Sequence, residues 1–134
     1  MIAERVFLSY RENIKVHCVR PATVCGWSPQ MRLDVCVNLL TFQALKEGKI
    51  TVFGGDQIRP NIHIRDLCDV YMHFLENPQL DSGFYNAGFE NFSIIQIAQM
   101  ISKEIPCQIE IQDSNDPRCY RQNSDKLKTT GFLS

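Results

Sequence analysis

Apolar residues follow two kinds of pattern along this chain: a helical spacing of three to four residues, and short apolar or alternating runs. The helical spacing opens the chain in MIAERVFLSY, where Ile2, Ala3, Val6, Phe7 and Tyr10 fall on one face. No capping residue precedes this face, although helices usually begin with Ser, Thr, Asp or Asn. We therefore expect the chain to start inside a helix.

Helical spacing returns in three longer segments and one short one. The first covers residues 34–45 and stops before a glycine. The second is predicted to begin at an N-cap, Asp66, and to stop before an Asn-Pro pair. The third, NFSIIQIAQMISKEIP, carries a capping box made by Ser93 and Gln96. Ser124 is the predicted cap of a last short helix.

Five short runs predict strands, namely IKVHCVRP, KITVFGGDQ, IRPNIHI, GFYNAG and CQIEIQ. Pro60 has no N–H group, so we expect the third run to be an edge or irregular strand. Helices and strands alternate, which predicts an α/β fold. The sequence has neither a Gly-rich nucleotide loop nor a phosphate loop, so a dinucleotide enzyme would need its main cofactor loop elsewhere.

Composition narrows the class of protein. Of 134 residues, 44% are hydrophobic and 22% charged, which suits one soluble domain or a piece of a larger one. No apolar run approaches the roughly 20 residues of a membrane span, so we expect no membrane partner. The net charge of -1, without a basic block, argues against nucleic acid as a partner.

The cysteines predict a reducing compartment. None of the 6 belongs to a Cys-x-x-Cys pair, and the 3 histidines are not at metal-ligand spacing with them. We expect free thiols, no disulfide, no zinc and a cytoplasmic location. The six are Cys18, Cys25, Cys36, Cys68, Cys107 and Cys119.

The run IRPNIHI carries the first candidate site. Alternate residues of a strand share a face, so Arg59, Asn61 and His63 lie on one side and apolar residues on the other. An arginine there is well shaped to bind a phosphate. The alternative is a solvated face with Arg59 paired to a nearby acid.

Two other stretches could bind a ligand, each with a structural alternative. In NDPRCYR, Arg118 and Arg121 could clamp an anion and Tyr120 could stack on a ring, or the stretch is a polar turn. In VRPATVCG, the backbone of Ala22 and Thr23 could meet a cofactor at the end of a buried strand, or it only leads into a loop.

Lone histidines and paired acids have simpler explanations. We interpret His63 and His73 as structural or surface residues rather than ligands. Asp66 and Asp69 resemble a paired-carboxylate site, but capping at a helix start explains them better. Neither pair is therefore a candidate catalytic group.

Four segments together resemble the C-terminal half of an extended short-chain dehydrogenase/reductase: VHCVRPATVCGWSP, LKEGKITVFGGDQIRPNIHIRDLCDVYMHFLENP, GFYNAG and DPRCYRQNSDKLKTTGF. The group most similar is the NAD-dependent nucleoside-diphosphate-sugar epimerases and dehydratases. In that family the opening helix starts with a catalytic Tyr and, four residues on, a Lys; Met1 corresponds to the residue just after that Lys. The resemblance implies one partial unit, residues 1–134, made of the last Rossmann strand and helices plus the small α/β substrate-binding domain.

The resemblance also assigns a cofactor segment. Pro21, Ala22 and Thr23 match the segment that touches the nicotinamide end of NAD (or NADP) and the substrate. Ala22 stands where the family has an aromatic residue, and Thr23 where it has an Asn. Cys25 replaces a Tyr, and Pro60 replaces an Asp. The main NAD loop and the catalytic Tyr and Lys have no match in the sequence.

Substrate-binding roles follow in the same way. Arg59 matches the arginine that binds the nucleotide diphosphate, and Val52 matches the strand lining the base pocket. Tyr120 matches an aromatic residue near the diphosphate and sugar. The second phosphate arginine of the family has no match, so Arg118 or Arg121 is expected to replace it. The substrate-binding residues implied are Thr23, Val52, Arg59, Arg118, Tyr120 and Arg121.

The resemblance implies that the chain is the sugar-nucleotide-binding half of such an enzyme, without catalysis of its own. Its partners would be a nucleoside diphosphate sugar and a separately encoded N-terminal half. The alternatives are a non-catalytic module that binds nucleotide sugars or a protein, and an unproductive remnant. We also expect a homodimer through the first helix, or aggregation through an exposed apolar edge at Val16, Cys18 and Val19.

Overall fold

The computed structural model describes residues 2–133, which alternate between helices and strands as the sequence pattern predicts. Met1, which the resemblance places next to the family's lysine, lies outside the described residues. In chain order the elements are α1 (Ile2–Ser9), β1 (His17–Pro21), β2 (Thr23–Cys25), α2 (Cys36–Glu47), β3 (Lys49–Phe53), β4 (Ile58–His63), α3 (Ile64–Glu76), β5 (Gly83–Ala87), β6 (Glu90–Ser93), α4 (Ile94–Glu104), β7 (Gln108–Gln112) and α5 (Asp125–Lys128).

Strands of the described residues form three small sheets. β1 pairs in parallel with β5, and β3 pairs in parallel with β7. In the third sheet β4 lies in the middle, parallel to β2 and antiparallel to β6. Parallel pairs need long crossover connections, and α2, α3 and α4 lie within them.

Two hydrophobic clusters join the helices to the sheets. The first packs α3 and α5 against β1 and β5, and the second packs α2 and α4 against β3 and β7. The first cluster consists of Ile62, Leu67, Val70, Phe74, Tyr85, Ala87, Leu127 and Phe132. The second consists of Leu40, Ala44, Ile50, Val52, Ile97 and Ala98.

The strongest helix signals of the sequence are confirmed. Ser93 Oγ accepts from the Gln96 N–H at 3.3 Å, and the Gln96 side chain accepts from the Ser93 N–H at 2.9 Å, which completes the predicted capping box. α2 ends at Gly48, which has a left-handed φ of 64°. α2 itself begins and ends two residues later than predicted.

One predicted cap is wrong, and another is confirmed in its position but not in its side-chain hydrogen bond. α3 begins at Ile64, and its N-cap is His63, whose Nδ1 accepts from the Arg65 N–H at 3.3 Å. Asp66 therefore lies in the first turn, where its charge complements the helix dipole. Ser124 precedes α5 but makes no side-chain cap; its hydroxyl bonds to Gly88 instead.

The prediction that Pro60 marks an edge or irregular strand is also wrong, because β4 is the middle strand. The two neighbours of β4 overlap only at Asn61: β2 pairs with residues 61–63 and β6 with residues 58–61. Pro60 therefore faces a partner strand on one side only, which makes its missing N–H tolerable. Both neighbours, β2 and β6, were absent from the pattern of predicted strands, since they have only 3 and 4 residues.

The apolar residues of the N-terminal region that are exposed to solvent are not the ones predicted. Val16, Cys18 and Val19 are half-buried rather than exposed, because β1 packs on the first cluster. β1 still has an unpaired edge among the described residues. α1 instead has no buried residue, and its apolar face is open to solvent.

Candidate functional site

A cavity of about 740 Å³ lies between α2, β3, β4 and the loop of residues 113–124. Its walls come from several strands: Thr23 belongs to β2, Thr51 and Phe53 belong to β3, and Arg59 belongs to β4. Tyr120 closes it from the loop. The cavity is large enough for a small organic ligand and combines apolar walls with a few polar groups.

Arg59 is held at the edge of this cavity by several acceptors. Nη1 donates to the carbonyls of Ile58, at 3.1 Å, and Arg118, and Nη2 donates to Asp116 Oδ2 at 3.3 Å. The guanidinium carbon lies 5.4 Å from the centre of the Tyr120 ring. Only 15% of the side chain is exposed, so the charge is fixed in one place rather than free in solvent.

Asp116 is the acid that pairs with Arg59, as the alternative interpretation of a nearby but unnamed acid expected. Its carboxylate also receives Arg118 Nε at 2.8 Å and Arg118 Nη2 at 2.7 Å. The hydrogen bonds from the Arg118 side chain and backbone, with the charge of Arg59, hold the pKa of Asp116 well below its usual range. The Arg59 position therefore accommodates an anion, and that anion is supplied by the chain itself.

The loop carrying these groups is held in place by hydrogen bonds near its C-terminal end. The Tyr120 N–H donates to the Ile58 carbonyl at 3.4 Å. Gln122 donates through its backbone to Asn91 Oδ1 at 2.8 Å and through its side chain to the Arg20 carbonyl at 2.8 Å. Through this loop, residues 57 and 59 positions further along the chain reach Arg59.

The structure brings most predicted site residues to the same region. Ala22, Thr23, Arg59 and Tyr120 line the main cavity. Arg118 contacts Arg59 through its carbonyl.

Pro21 and Arg121 line a smaller neighbouring cavity of about 410 Å³. Ala22, Thr23 and Tyr120 line both spaces, so the two cavities are adjacent. Of the two candidate second arginines, Arg118 is thus on the Asp116 side and Arg121 is in the neighbouring space.

Val52 lies elsewhere. It is fully buried in the second hydrophobic cluster, and its neighbours Thr51 and Phe53 line the cavity. Successive residues of a strand point to opposite sides, so a core position at Val52 sends both neighbours to the other face. The alternation of strand residues around Val52 is the sequence pattern that could have predicted Thr51 and Phe53 as cavity residues.

Sequence reasoning also missed the α2 side of the cavity. Arg32 and Asp34 form a bidentate pair there, at 3.0 and 2.6 Å. Cys36 lies at the start of α2, and burial raises the pKa of its thiol to about 11, with the charge of Arg59 opposing the shift. The thiol is therefore uncharged at neutral pH. A cysteine in an apolar run gave no signal beyond that of a small hydrophobe.

The described residues do not by themselves fit a whole dinucleotide. Residues 2–133 contain no glycine-rich loop between a strand and a helix N-terminus. The carboxyl end of β1, at residues 21–23, is also partly closed: a Cβ on Gly88 would lie 2.6 Å from Ala22 Cβ and 2.5 Å from Gln122 Oε1.

Two further features of residues 2–133 concern membranes and metals. None of their helices is long and apolar enough to cross a membrane. No three His, Cys, Asp or Glu side chains of these residues are grouped so that they could hold a metal ion. The six cysteines are free thiols in the structure.

Solved structures of sugar-nucleotide enzymes have the same fold. UDP-N-acetylglucosamine 4-epimerase from Bacillus cereus matches 93% of this chain with 16% identity and a TM-score of 0.77. dTDP-glucose 4,6-dehydratase from Bacillus anthracis, in complex with NAD, matches 96% with 22% identity and a TM-score of 0.73. UDP-glucuronic acid 4-epimerase from Bacillus cereus, in complex with UDP-glucuronic acid and NAD, matches 94% with 26% identity and a TM-score of 0.71.

These matches show a Rossmann-like α/β fold, and the chain spans less than half of each: 45%, 41% and 42%. The model of the NAD dependent epimerase/dehydratase family matches residues 1–88, well over half of the sequence. On this match, the chain belongs to the NAD dependent epimerase/dehydratase family.

Proposed function

We propose that this chain is the sugar-nucleotide-binding half of an NAD-dependent nucleoside-diphosphate-sugar epimerase or dehydratase, and that it has no catalysis of its own. The observation that carries the proposal is Arg59, a nearly buried guanidinium at the edge of a cavity of about 740 Å³. In this proposal a diphosphate replaces the Asp116 carboxylate at Arg59. Arginine suits that exchange because its fork matches carboxylate and phosphate oxygens alike.

The other residues that line the cavity are suited to binding a nucleotide. Phe53 and Tyr120 offer aromatic faces, and Thr51, Gln43 and Thr23 offer polar atoms. Arg118 or Arg121 would supply the second phosphate contact, on the Asp116 side or from the neighbouring cavity. Pro21, Ala22 and Thr23 would meet the nicotinamide end of NAD, with the remaining contacts made outside this sequence.

The experiment is calorimetric titration of the chain with UDP-, dTDP-, GDP- and ADP-sugars, using native protein and two variants. Arg59→Ala should weaken binding about 10- to 100-fold, because it removes charge-assisted hydrogen bonds worth roughly 1.5–3 kcal/mol. Arg65→Ala is the matched control, since Arg65 is exposed on α3 and does not line the cavity. Circular dichroism checks that both variants fold.

Each result decides the proposal. A loss confined to Arg59→Ala would support it, and the preferred ligand would identify the base. Equal binding by both variants would show that the nucleotide lies elsewhere. No binding of any sugar nucleotide by the folded chain would reject the claim that this half binds alone.

A second candidate function is protein binding, and α1 favours it. Ile2, Val6 and Phe7 are 83%, 51% and 59% exposed on one short helix, and Tyr10, 54% exposed, follows directly after its last residue. An apolar row of this kind suits either a second copy of the chain or a separately encoded N-terminal half. Light scattering of native protein and Phe7→Glu tests self-association, which a monomer at high concentration would exclude. A cytoplasmic location stays a prediction.

A further inference from the structure

The α2 wall of the cavity of about 740 Å³ carries a side-chain amide, that of Gln43. Cys36, Leu40 and Gln43 lie on one face of the helix, and all three line the cavity. Thr51 and Phe53 of β3, a strand that packs against α2, continue this wall. Gln43 therefore belongs to the part of the cavity that α2 and β3 form together.

The amide of Gln43 has a fixed orientation. Its Oε1 accepts from the Thr51 N–H at 3.2 Å. A backbone N–H can only donate, so the oxygen must face Thr51, and the two N–H groups of Nε2 remain for another partner. Nε2 has no hydrogen-bond partner within residues 2–133, yet it is not a buried atom, so a ligand in the cavity can reach it.

An amide that offers only donors can distinguish between nucleotide bases. A free glutamine binds adenine with its oxygen and its nitrogen together, but this oxygen is already bound to Thr51. Uracil, thymine and guanine carry a carbonyl oxygen at the base edge far from the sugar, where cytosine and adenine carry an amino group. The Nε2 donors therefore match the carbonyl oxygen, whereas against the amino group they meet other donors.

Phe53 supplies an aromatic face on the same side of β3 as Thr51. The two residues are two positions apart on the strand, so their side chains share a face, and Phe53 is 55% exposed. We propose that Gln43 selects the base of the nucleotide, with Nε2 donating to the carbonyl oxygen of uracil, thymine or guanine. This inference rests on the proposed function, which puts the diphosphate at Arg59 and leaves the α2 and β3 part of the cavity for the base.

The test is calorimetric titration of the whole chain with two matched pairs, UDP-glucose with CDP-glucose and GDP-glucose with ADP-glucose. The native chain should bind the carbonyl member of each pair at least ~5-fold more tightly, which is the contribution of one hydrogen bond between neutral groups. Gln43→Glu keeps an oxygen for the Thr51 N–H and replaces both donors with an acceptor, so the preference should reverse. The added negative charge acts on both members of a pair alike, so the ratio of their affinities is the quantity to compare.

Two further variants complete the test. Gln43→Met has no donor and should bring the ratio to about 1, while Gln99→Glu adds the same charge at an exposed position of α4 and should keep the native ratio. The inference is overturned if the native chain does not prefer the carbonyl bases, or if the preference survives in folded Gln43→Glu. Binding that depends on Arg59 but has the same ratio in all Gln43 variants would reject this inference alone, whereas no binding of any sugar nucleotide would reject the proposed function with it.

Discussion

The hydroxyl of Ser124 joins the C-terminal segment to the end of β5, and we predict that Ser124→Ala is strongly destabilising. Ser124 is only 4% exposed. Its Oγ accepts from the Gly88 N–H at 2.9 Å and donates to the Gly88 carbonyl at 2.8 Å. Gly88 itself is buried, so water cannot replace either bond.

The magnitude follows from what the substitution leaves behind. Alanine keeps the backbone but removes both partners of Gly88, and each buried polar group left unpaired costs about 1–3 kcal/mol. Because the two groups belong to one residue and can relax together, we expect a total loss of about 2–4 kcal/mol. With a urea m-value of about 2 kcal/mol per M, the unfolding midpoint falls by about 1–2 M.

Urea unfolding followed by circular dichroism measures this change. Ser9→Ala is the control: the Ser9 hydroxyl donates to the Val6 carbonyl at 2.7 Å, but it does so at an exposed position. Its expected change is within about 0.5 kcal/mol. If Ser124→Ala shifted the midpoint no more than Ser9→Ala does, the assigned role of the buried hydroxyl would be refuted.

Two other predictions concern the backbone and an acid. Gly26→Ala should destabilise the protein clearly more than Gly48→Ala. Both glycines have positive φ, but a Cβ on Gly26 would lie 2.6 Å from His63 Nε2, whereas nothing lies within 4 Å of a Cβ at Gly48. Thermal unfolding of both variants tests this prediction, and equal shifts of the melting temperature would contradict it. Asp116→Asn should lower stability at pH 7, with a difference from native that shrinks below about pH 4. The depressed pKa of Asp116 gives a contribution that is present above its unfolded value and lost as the pH falls. Urea midpoints at pH 7 and pH 3 measure it, and a constant difference would argue against the Arg118 and Arg59 contacts.

Local signals in the sequence predicted the elements whose causes are local. The capping box of Ser93 and Gln96 and the left-handed Gly48 depend on a few neighbouring residues, and both were found. β2 and β6 depend on β4 for their pairing, and three or four residues carry too little pattern of their own. His63 as a cap was missed because histidine seldom has that role.

In the candidate site, too, local patterns predicted some residues, while contacts between distant residues were not predicted. Alternation along β4 placed Arg59 on a polar face, and both the loop NDPRCYR and the resemblance pointed to Tyr120, which the structure puts against Arg59. The hydrogen bond between Arg59 and Asp116 joins residues 57 positions apart in sequence. No local pattern could therefore predict whether a ligand or an acidic side chain binds the guanidinium. Val52 is buried, and Thr51 and Phe53 face the cavity, because β3 packs on α2 and α4, and a contact between distant elements cannot be predicted from a local pattern.

The two hydrophobic clusters have a consequence for how the molecule opens. No residue belongs to both, and the sheet of β2, β4 and β6 lies between them, with Ile62 in the first cluster and Phe92 packed against the second. Proteins often lose structure in cooperative units of this size before they unfold globally. Amide exchange should therefore sort into two groups of protection, and the cavity of about 740 Å³, which Leu40 of the second cluster lines, should open with that unit.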